Sequence, residues 1–334
     1  MAARLDPSTD LHLELLPGVG LSEPDLDART DEQNPAPGLV RFRPAPSPRR
    51  GPPALLNDPE AARLLRACKD GSMGRLTEIG GKRLPVLRWS FVRMLLGLRH
   101  LTKNWQVGDG REAALRDYVL ANATPGDVDD AIRAIDEFCY GESFMMNVGD
   151  EKGALLDAAI HRARPERLLE LGTYCGYSAL RTVRAMPEDA HLYSIEFNPD
   201  NAAIARRILD HAGAGDRVTV VVGTLGDGGD TIATLENEHG FRDGALDFVF
   251  IDHDKDAYLS DLERFRERGW LRAGAVVVAD NVKFPGVPGY REHMREREGR
   301  EWRTKEHETH VEYQTLIKDL VLESEYLPAE ASRG

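Results

Sequence analysis

Apolar and polar positions follow two regimes along the chain, with the break near residue 110. From there on, short apolar runs alternate with amphipathic stretches. REAALRDYVLANA (111–123) and DVDDAIRAIDEFCYG (127–141) read as amphipathic helices that end at polar turns or glycine. Five strand-like runs follow: RLLEL (167–171), HLYSIE (191–196), RVTVVVG (217–223), ALDFVFID (245–252) and GAVVVAD (274–280). Between them lie helical stretches: YSALRTVRAM (177–186), PDNAAIARRILDHAG (199–213), DTIATLENEHG (230–240) and KDAYLSDLERFRERG (255–269). Pro199 is placed to open its helix and Gly213 to end it. Five strands separated by helices predict an α/β fold with a doubly wound, mostly parallel sheet. REWRTKEHET (300–309) and YQTLIKDLVLES (313–324) suit a closing antiparallel strand pair.

The part before residue 110 is built differently. Its first 59 residues hold 11 of the 19 prolines, and each proline removes a backbone donor, so residues 1–55 are expected to be a disordered proline-rich extension. A short helix is expected at 58–68, capped by Asn57. Residues 56–105 form a basic, partly apolar helical segment, and the main domain is expected at 106–330. The most apolar run, LPVLRWSFVRMLLGL (84–98), carries Arg88 and Arg93 and is shorter than the roughly 20 apolar residues a bilayer span needs. Packing on the domain or on a second subunit is the plainer use for it. Contact with an acidic membrane surface is the alternative.

Charge sharpens the contrast. Residues 41–103 hold 14 Lys and Arg against 4 Asp and Glu, a balance of +10, so the rest of a chain of net charge −13 carries −23. That acidic remainder argues against nucleic acid as a partner. The cysteines, Cys68, Cys139 and Cys175, stand far apart, and the first ten residues have no apolar core of a leader. Both features point to a cytoplasmic protein in a reducing compartment.

The strand ends carry the candidate chemistry, because open parallel sheets bind ligands outside the carboxyl ends of their strands. Four of the five strands finish in an acid: Glu170, Glu196, Asp252 and Asp280. Gly172 and Gly176 allow a tight first turn, but its spacing is not the G-x-G-x-x-G that seats a pyrophosphate. Glu196, 26 residues beyond Glu170, stands where an acid holds a ribose diol. A ribose-bearing ligand with a positive centre and no pyrophosphate fits S-adenosyl-L-methionine. Each acid taken alone is also explained as a helix cap or a solvated loop charge.

The stretches MNVGDEKG (146–153), LLELGTYCGYSA (168–179), SIEFNPD (194–200), IDHDKDAYL (251–259), ADNVKFPG (279–286) and HVEYQT (310–315) resemble the catechol O-methyltransferase family, in the family's order and at similar spacing. The likeness runs from about Trp89 to Tyr326 and implies a Rossmann-like methyltransferase fold. It implies Mg2+ bound by Asp252, Asp280 and Asn281, with Lys255 as general base and Glu312 holding the hydroxyl that is not methylated. For S-adenosyl-L-methionine it implies Val148, Glu170, Gly172, Tyr174, Ser178, Glu196, Phe197, Asp252 and His253. Around a small-molecule catechol it places Asp252, Lys255, Asn281 and Glu312, with walls at Phe144, Met146, Pro285 and Val311. Two family tryptophans are replaced here, by Phe144, which keeps an aromatic wall, and by Asp254, which does not. The pair after the third strand, small and amide in the family, is here Leu225 and Gly226. A caffeoyl-CoA-type or other natural-product O-methyltransferase shares the metal site, and a non-catalytic adenosine-ligand binding module is the reading from a different class. HVEYQT and MNVGD favour the catechol type, and the intact ligand set with Lys255 argues against a non-catalytic module.

Overall fold

A computed structural model describes residues 106–327, and before them 78–79, 82–83, 89–97, His100 and Lys103. The expectations for residues 1–55 and 58–68 lie outside the described residues. In the basic segment, β1 (Glu78–Ile79) pairs antiparallel with β2 (Lys82–Arg83), and α1 (Trp89–Leu96) follows. No helix among the described residues is long and apolar enough to cross a membrane.

Next come α2 (Arg111–Asn122), α3 (Val128–Gly141) and α4 (Gly149–Ala163). The alternating part consists of β3 (Arg167–Leu171), α5 (Tyr177–Ala185), β4 (His191–Glu196), α6 (Pro199–His211), β5 (Val218–Val222), α7 (Asp230–Asn237), β6 (Leu246–Ile251), α8 (Tyr258–Glu267) and β7 (Leu271–Ala279). It is completed by α9 (Pro288–Glu296), β8 (Trp302–His310) and β9 (Lys318–Tyr326). Local chemistry sets several boundaries. Asp127 accepts from Asp130 N at 2.9 Å to cap α3, and Asn198 accepts from Asp200 N at 2.8 Å with Pro199 in the first turn of α6.

The seven-stranded sheet runs β5-β4-β3-β6-β7-β9-β8. β3 to β7 are mutually parallel, β9 pairs antiparallel with β7, and β8 closes the edge antiparallel to β9. The predicted doubly wound sheet and its closing pair are therefore present. β6 is buried at all six positions, as a strand covered on both faces must be. Successive side chains point to opposite faces, so the core has two halves. Leu168, Phe248 and Phe250 pack with α2 to α6, while Leu169, Val249 and Ile251 pack with α7 to α9.

Strand order reverses between β3 and β6, which makes their carboxyl ends a ligand crevice. Leu171 pairs with Ile251, and Ile251 with Ala279. The ladder continues one step further, with Asp252 N donating to Leu171 O at 2.9 Å and Asp280 N to Ile251 O at 3.1 Å. Asp252 and Asp280 thus leave the sheet at one level on neighbouring strands. Gly172 has φ +102°, and a Cβ there would lie 2.4 Å from Asp252 O. Gly172→Ala is expected to lose at least about 1 kcal/mol of stability, from the φ and the backbone clash together. Thermal or denaturant unfolding checks it, and a variant as stable as the parent would refute the account.

Candidate active site

Two groups of side chains line the rim. The first stands over β3 and β4. Glu170 is fully buried and accepts from Ser194 Oγ, and Ser178 also bonds to its carboxylate. Its Oε1 is buried with no hydrogen-bond partner. Burial pushes its pKa up to about 7, the Ser178 and Ser194 bonds oppose that, and the charges of Asp252 and Glu196 add to it. Glu196 is 5% exposed and accepts from Tyr174 N at 2.7 Å and Asn198 N at 2.9 Å. Burial raises its pKa against the pull of those bonds. Tyr174 takes a left-handed φ of +48° and sends its hydroxyl to the buried Glu112 at 3.0 Å. Val148 is buried at the start of α4, whereas Phe197 is exposed.

The second group stands over β6 and β7. Lys255 Nζ donates to Asp252 Oδ1 at 2.9 Å and to Tyr258 Oη at 2.6 Å, and Tyr258 donates to Asp280 O at 3.1 Å. The lysine is held at the rim by its partners on both sides. Asp280 is fully buried, and its Oδ1 accepts from Asn281 N at 2.6 Å. Its Oδ2 lacks an aligned hydrogen-bond donor, although Lys152 Nζ lies 2.7 Å away as an ion pair. Burial raises the Asp280 pKa, Lys152 opposes this, and Asp252 and Glu312 reinforce it. Asn281 takes φ +55°, and its Nδ2 donates to Glu312 Oε1 at 3.2 Å and Asp319 Oδ2 at 3.0 Å. The side-chain nitrogen is committed inward, which leaves the amide oxygen as the free end.

The sequence-predicted residues therefore meet in two sets: Glu170, Gly172, Tyr174, Ser178 and Glu196 in one, and Asp252, Lys255, Asp280, Asn281 and Glu312 in the other. His253 turns to Asp261 Oδ2 at 2.8 Å and stacks on Tyr258 at 5.3 Å, leaving Nδ1 buried and unpartnered. Asp254 is exposed and accepts from Asp256 N at 3.1 Å, so it caps the turn that follows. Phe144 is buried, with Met146 and Phe91 packed on its cluster. Pro285 lies in the turn Val282–Gly286, and Val311 and Glu312 lie in the loop between β8 and β9. Cys139 and Cys175 are buried and in no disulfide, and Cys139 Sγ accepts from Asn147 Nδ2 at 3.5 Å.

Sequence reasoning missed Lys152 and Asp319, at 1% exposure each the most deeply placed charges of the second set after Asp280. The clue to Lys152 was its place within MNVGDEKG; Asp319 left no signal beyond being an acid in a strand. Four carboxylates (Asp252, Asp280, Glu312 and Asp319) meet two ammoniums (Lys152 and Lys255), a formal balance of −4 + 2 = −2. Among the described residues no trio of His, Cys, Asp and Glu is arranged to hold a metal ion. Any set here would need two carboxylates and the Asn281 amide oxygen. All three are hard oxygen donors, and with the uncompensated charge they suit a hard dication.

Residues 130–306 match the sequence model of a family described as O-methyltransferase. The chain is 60% identical over 234 residues to a probable O-methyltransferase of Mycobacterium tuberculosis, covering 70% of this chain and 100% of that one. The chain belongs to the O-methyltransferase family. Within it, the chain is 41% identical over 241 residues to catechol O-methyltransferase B of Danio rerio, covering 72% of this chain and 86% of that one. To the catechol O-methyltransferase of Mus musculus it is 42% identical over 192 residues, 58% of this chain and 71% of that one. Among solved structures, the O-methyltransferase TomG of Streptomyces achromogenes, in complex with S-adenosylmethionine, is 22% identical with a TM-score of 0.49, covering 72% of this chain and 99% of that one.

Proposed function

We propose that this O-methyltransferase moves the methyl group of S-adenosyl-L-methionine to one hydroxyl of a catechol-type small molecule, with Mg2+ as a resident ion. The observation that carries the reading is the meeting of Lys255 and Asp252 with the Asp280, Asn281 and Glu312 cluster at one end of the sheet. The identity to catechol O-methyltransferases across most of the domain supports the acceptor class.

In this reading the first set binds the donor. The unpartnered Glu170 Oε1 takes its amino group, Glu196 its ribose hydroxyls, and Gly172 lets the turn close beneath it. The second set handles the acceptor. A divalent ion held by Asp252, Asp280 and Asn281 would supply Lewis acidity to an acceptor oxygen. As the C–O bond forms and the C–S bond breaks, Lys255 Nζ is the group that takes the hydroxyl proton. Glu312 accepts from the neighbouring hydroxyl, while Phe144, Met146, Pro285 and Val311 fix the plane of the ring. Holding both reactants in line is where most of the acceleration arises.

Three outcomes test this. Chelator treatment is expected to abolish methylation of a catechol panel, Mg2+ to restore it, and Asp280→Asn to lower turnover by at least about 100-fold. Full activity after exhaustive chelation would remove the metal from the reading, and no turnover of any catechol would remove the acceptor class.

Donor affinity should depend on pH through Glu170. Its pKa of about 7 means that the carboxylate is protonated below neutrality and cannot receive a cationic amino group. Calorimetry should show S-adenosyl-L-methionine binding weaken by up to about tenfold per pH unit below pH 7, and Glu170→Gln should bind weakly with a flat profile. A flat wild-type profile contradicts the assignment.

The third concerns acceptor choice. Asp254 puts an exposed carboxylate where an aromatic gate would stand, so cationic catechols should be preferred to carboxylated ones. Asp254→Trp is expected to shift the ratio of their kcat/KM values toward the acid by about tenfold. An unchanged ratio would leave Asp254 as a turn cap alone.

A further inference from the structure

Lys152 stands in the first turn of α4 and is 1% exposed. Its Nζ lies 2.7 Å from Asp280 Oδ2 and 3.2 Å from Asp319 Oδ2, and it donates to Glu312 Oε1. Burial works against the charge, but the three carboxylates outweigh it and raise the pKa well above the ordinary lysine value. These partners differ in how firmly they are held. Asp280 ends a buried strand. Asp319 Oδ1 accepts from Lys283 N at 3.2 Å, Phe284 N at 2.9 Å and Leu320 N at 2.8 Å, so β9 and the 282–286 turn lock it in place. Glu312 sits in the loop between β8 and β9, and among the described residues its carboxylate is met by Lys152 and Asn281, both at Oε1. Neutralising the lysine needs no third acid, because Asp280 and Asp319 are both buried and both in contact. The Glu312 contact is an addition, and α4 is shaped to permit it. Gly149, at φ +70°, has Glu312 Cα 3.4 Å from where a Cβ would stand.

We propose that Lys152 is a positioning residue for the acceptor. It grips Glu312 Oε1 from the rigid side of the site and leaves Oε2, which no described residue engages, to face the acceptor's second hydroxyl. Lys152 itself touches neither reactant. Two further contacts of Asp319 extend the same frame to the wall, because its bonds to Lys283 N and Phe284 N hold the turn that carries Pro285. The lysine thus sets the distance between the hydroxyl anchor on one loop and the ring wall on another. This inference rests on the catechol reading above.

The test is Lys152→Met, which keeps length and removes charge. The acceptor KM is expected to rise at least tenfold with a smaller fall in kcat, while the S-adenosyl-L-methionine dissociation constant measured by calorimetry stays within twofold. The ratio of the two methylated positions on an unsymmetrical catechol should move toward unity. In a Glu312→Gln background the same substitution should raise KM by less than twofold, because the group it positions is already altered. If Lys152→Met does not fold, Lys152→Met/Asp319→Asn, which removes one charge of each sign, is measured in the same way. An unchanged KM in a folded variant, additive effects with Glu312→Gln, or failure of both variants to fold assigns Lys152 to stability and overturns the proposal. A wild-type protein that binds S-adenosyl-L-methionine but methylates no catechol overturns the catechol reading itself. Wild-type turnover with an unaffected variant overturns only the role of Lys152.

Discussion

Four carboxylates gathered at one end of a parallel sheet, with Asp280 and Asp319 fully out of water and Asp252 and Glu312 partly so, are the constraint that shapes the rest of this protein. An isolated buried carboxylate is strongly disfavoured, so each must be paired, hydrogen-bonded or protonated. Lys152 compensates for three of them and Lys255 binds the fourth. Burial above all, and the charges of Asp252 and Glu312 after it, raise the pKa of Asp280 against the pull of Lys152, and burial raises that of Glu170 in the same direction. A scaffold that only needed stability would do better with apolar side chains there. The retained imbalance is what the proposed dication and cationic methyl donor would answer.

Backbone geometry makes that concentration of charge possible. The parallel ladder delivers Asp252 and Asp280 at the same level, because their amides complete the last rungs from Leu171 and Ile251. Gly172 then brings the β3 turn against Asp252 O, closer than any side chain would allow. Backbone packing thereby joins the turn after β3 to the end of β6. Left-handed conformations at Tyr174, Asn281 and Tyr313 mark three places where the chain turns sharply at or beside residues of the proposed site. Local strain of this kind persists only where the surroundings enforce it.

Much of this was legible in the sequence, and what was missed has physical causes. Strands β3 to β7 were visible because strands covered on both faces must be apolar throughout. The acids at their ends stood out by contrast, and the motif order around them carried the family. Helix α4 was not foreseen, although it supplies Lys152. Its sequence, GDEKGALLDAAIHRA, is interrupted by Gly153, which weakens a helical reading. The structure shows why glycine is there: a Cβ would fall 2.6 Å from the Arg181 guanidinium. Lys152 drew no reading from the sequence for a different reason. Its acids lie far along the chain, at 280, 312 and 319, and no local pattern reports such a meeting. Asp254 followed the opposite course, since its cap to Asp256 N is local and was available to sequence reasoning as a turn signal.

The apolar run before residue 100 shows how packing resolves what composition leaves open. Read alone, WSFVRMLL suits a membrane surface or a partner as well as a domain. In the structure Phe91 meets Phe144 edge-on at 5.3 Å, and Met94 joins Phe144 and Val107 in one small cluster. The polar atoms agree with this placement. Ser90 Oγ accepts from Phe144 N at 3.0 Å, and the buried Arg111 guanidinium donates to both Ser90 O and Phe144 O. A buried arginine that bridges two backbone carbonyls is costly to displace, because its departure would strand all of these groups. Leu95 and Leu96 remain exposed on the outer side, so only the inner face of the helix is consumed by this contact. Phe144 is the acceptor-side aromatic wall in the proposed site, so the stiffness of that wall derives from a helix outside the alternating β/α core. The helix of the basic segment is thus joined to the proposed acceptor wall through Arg111 and the Phe91–Phe144 contact.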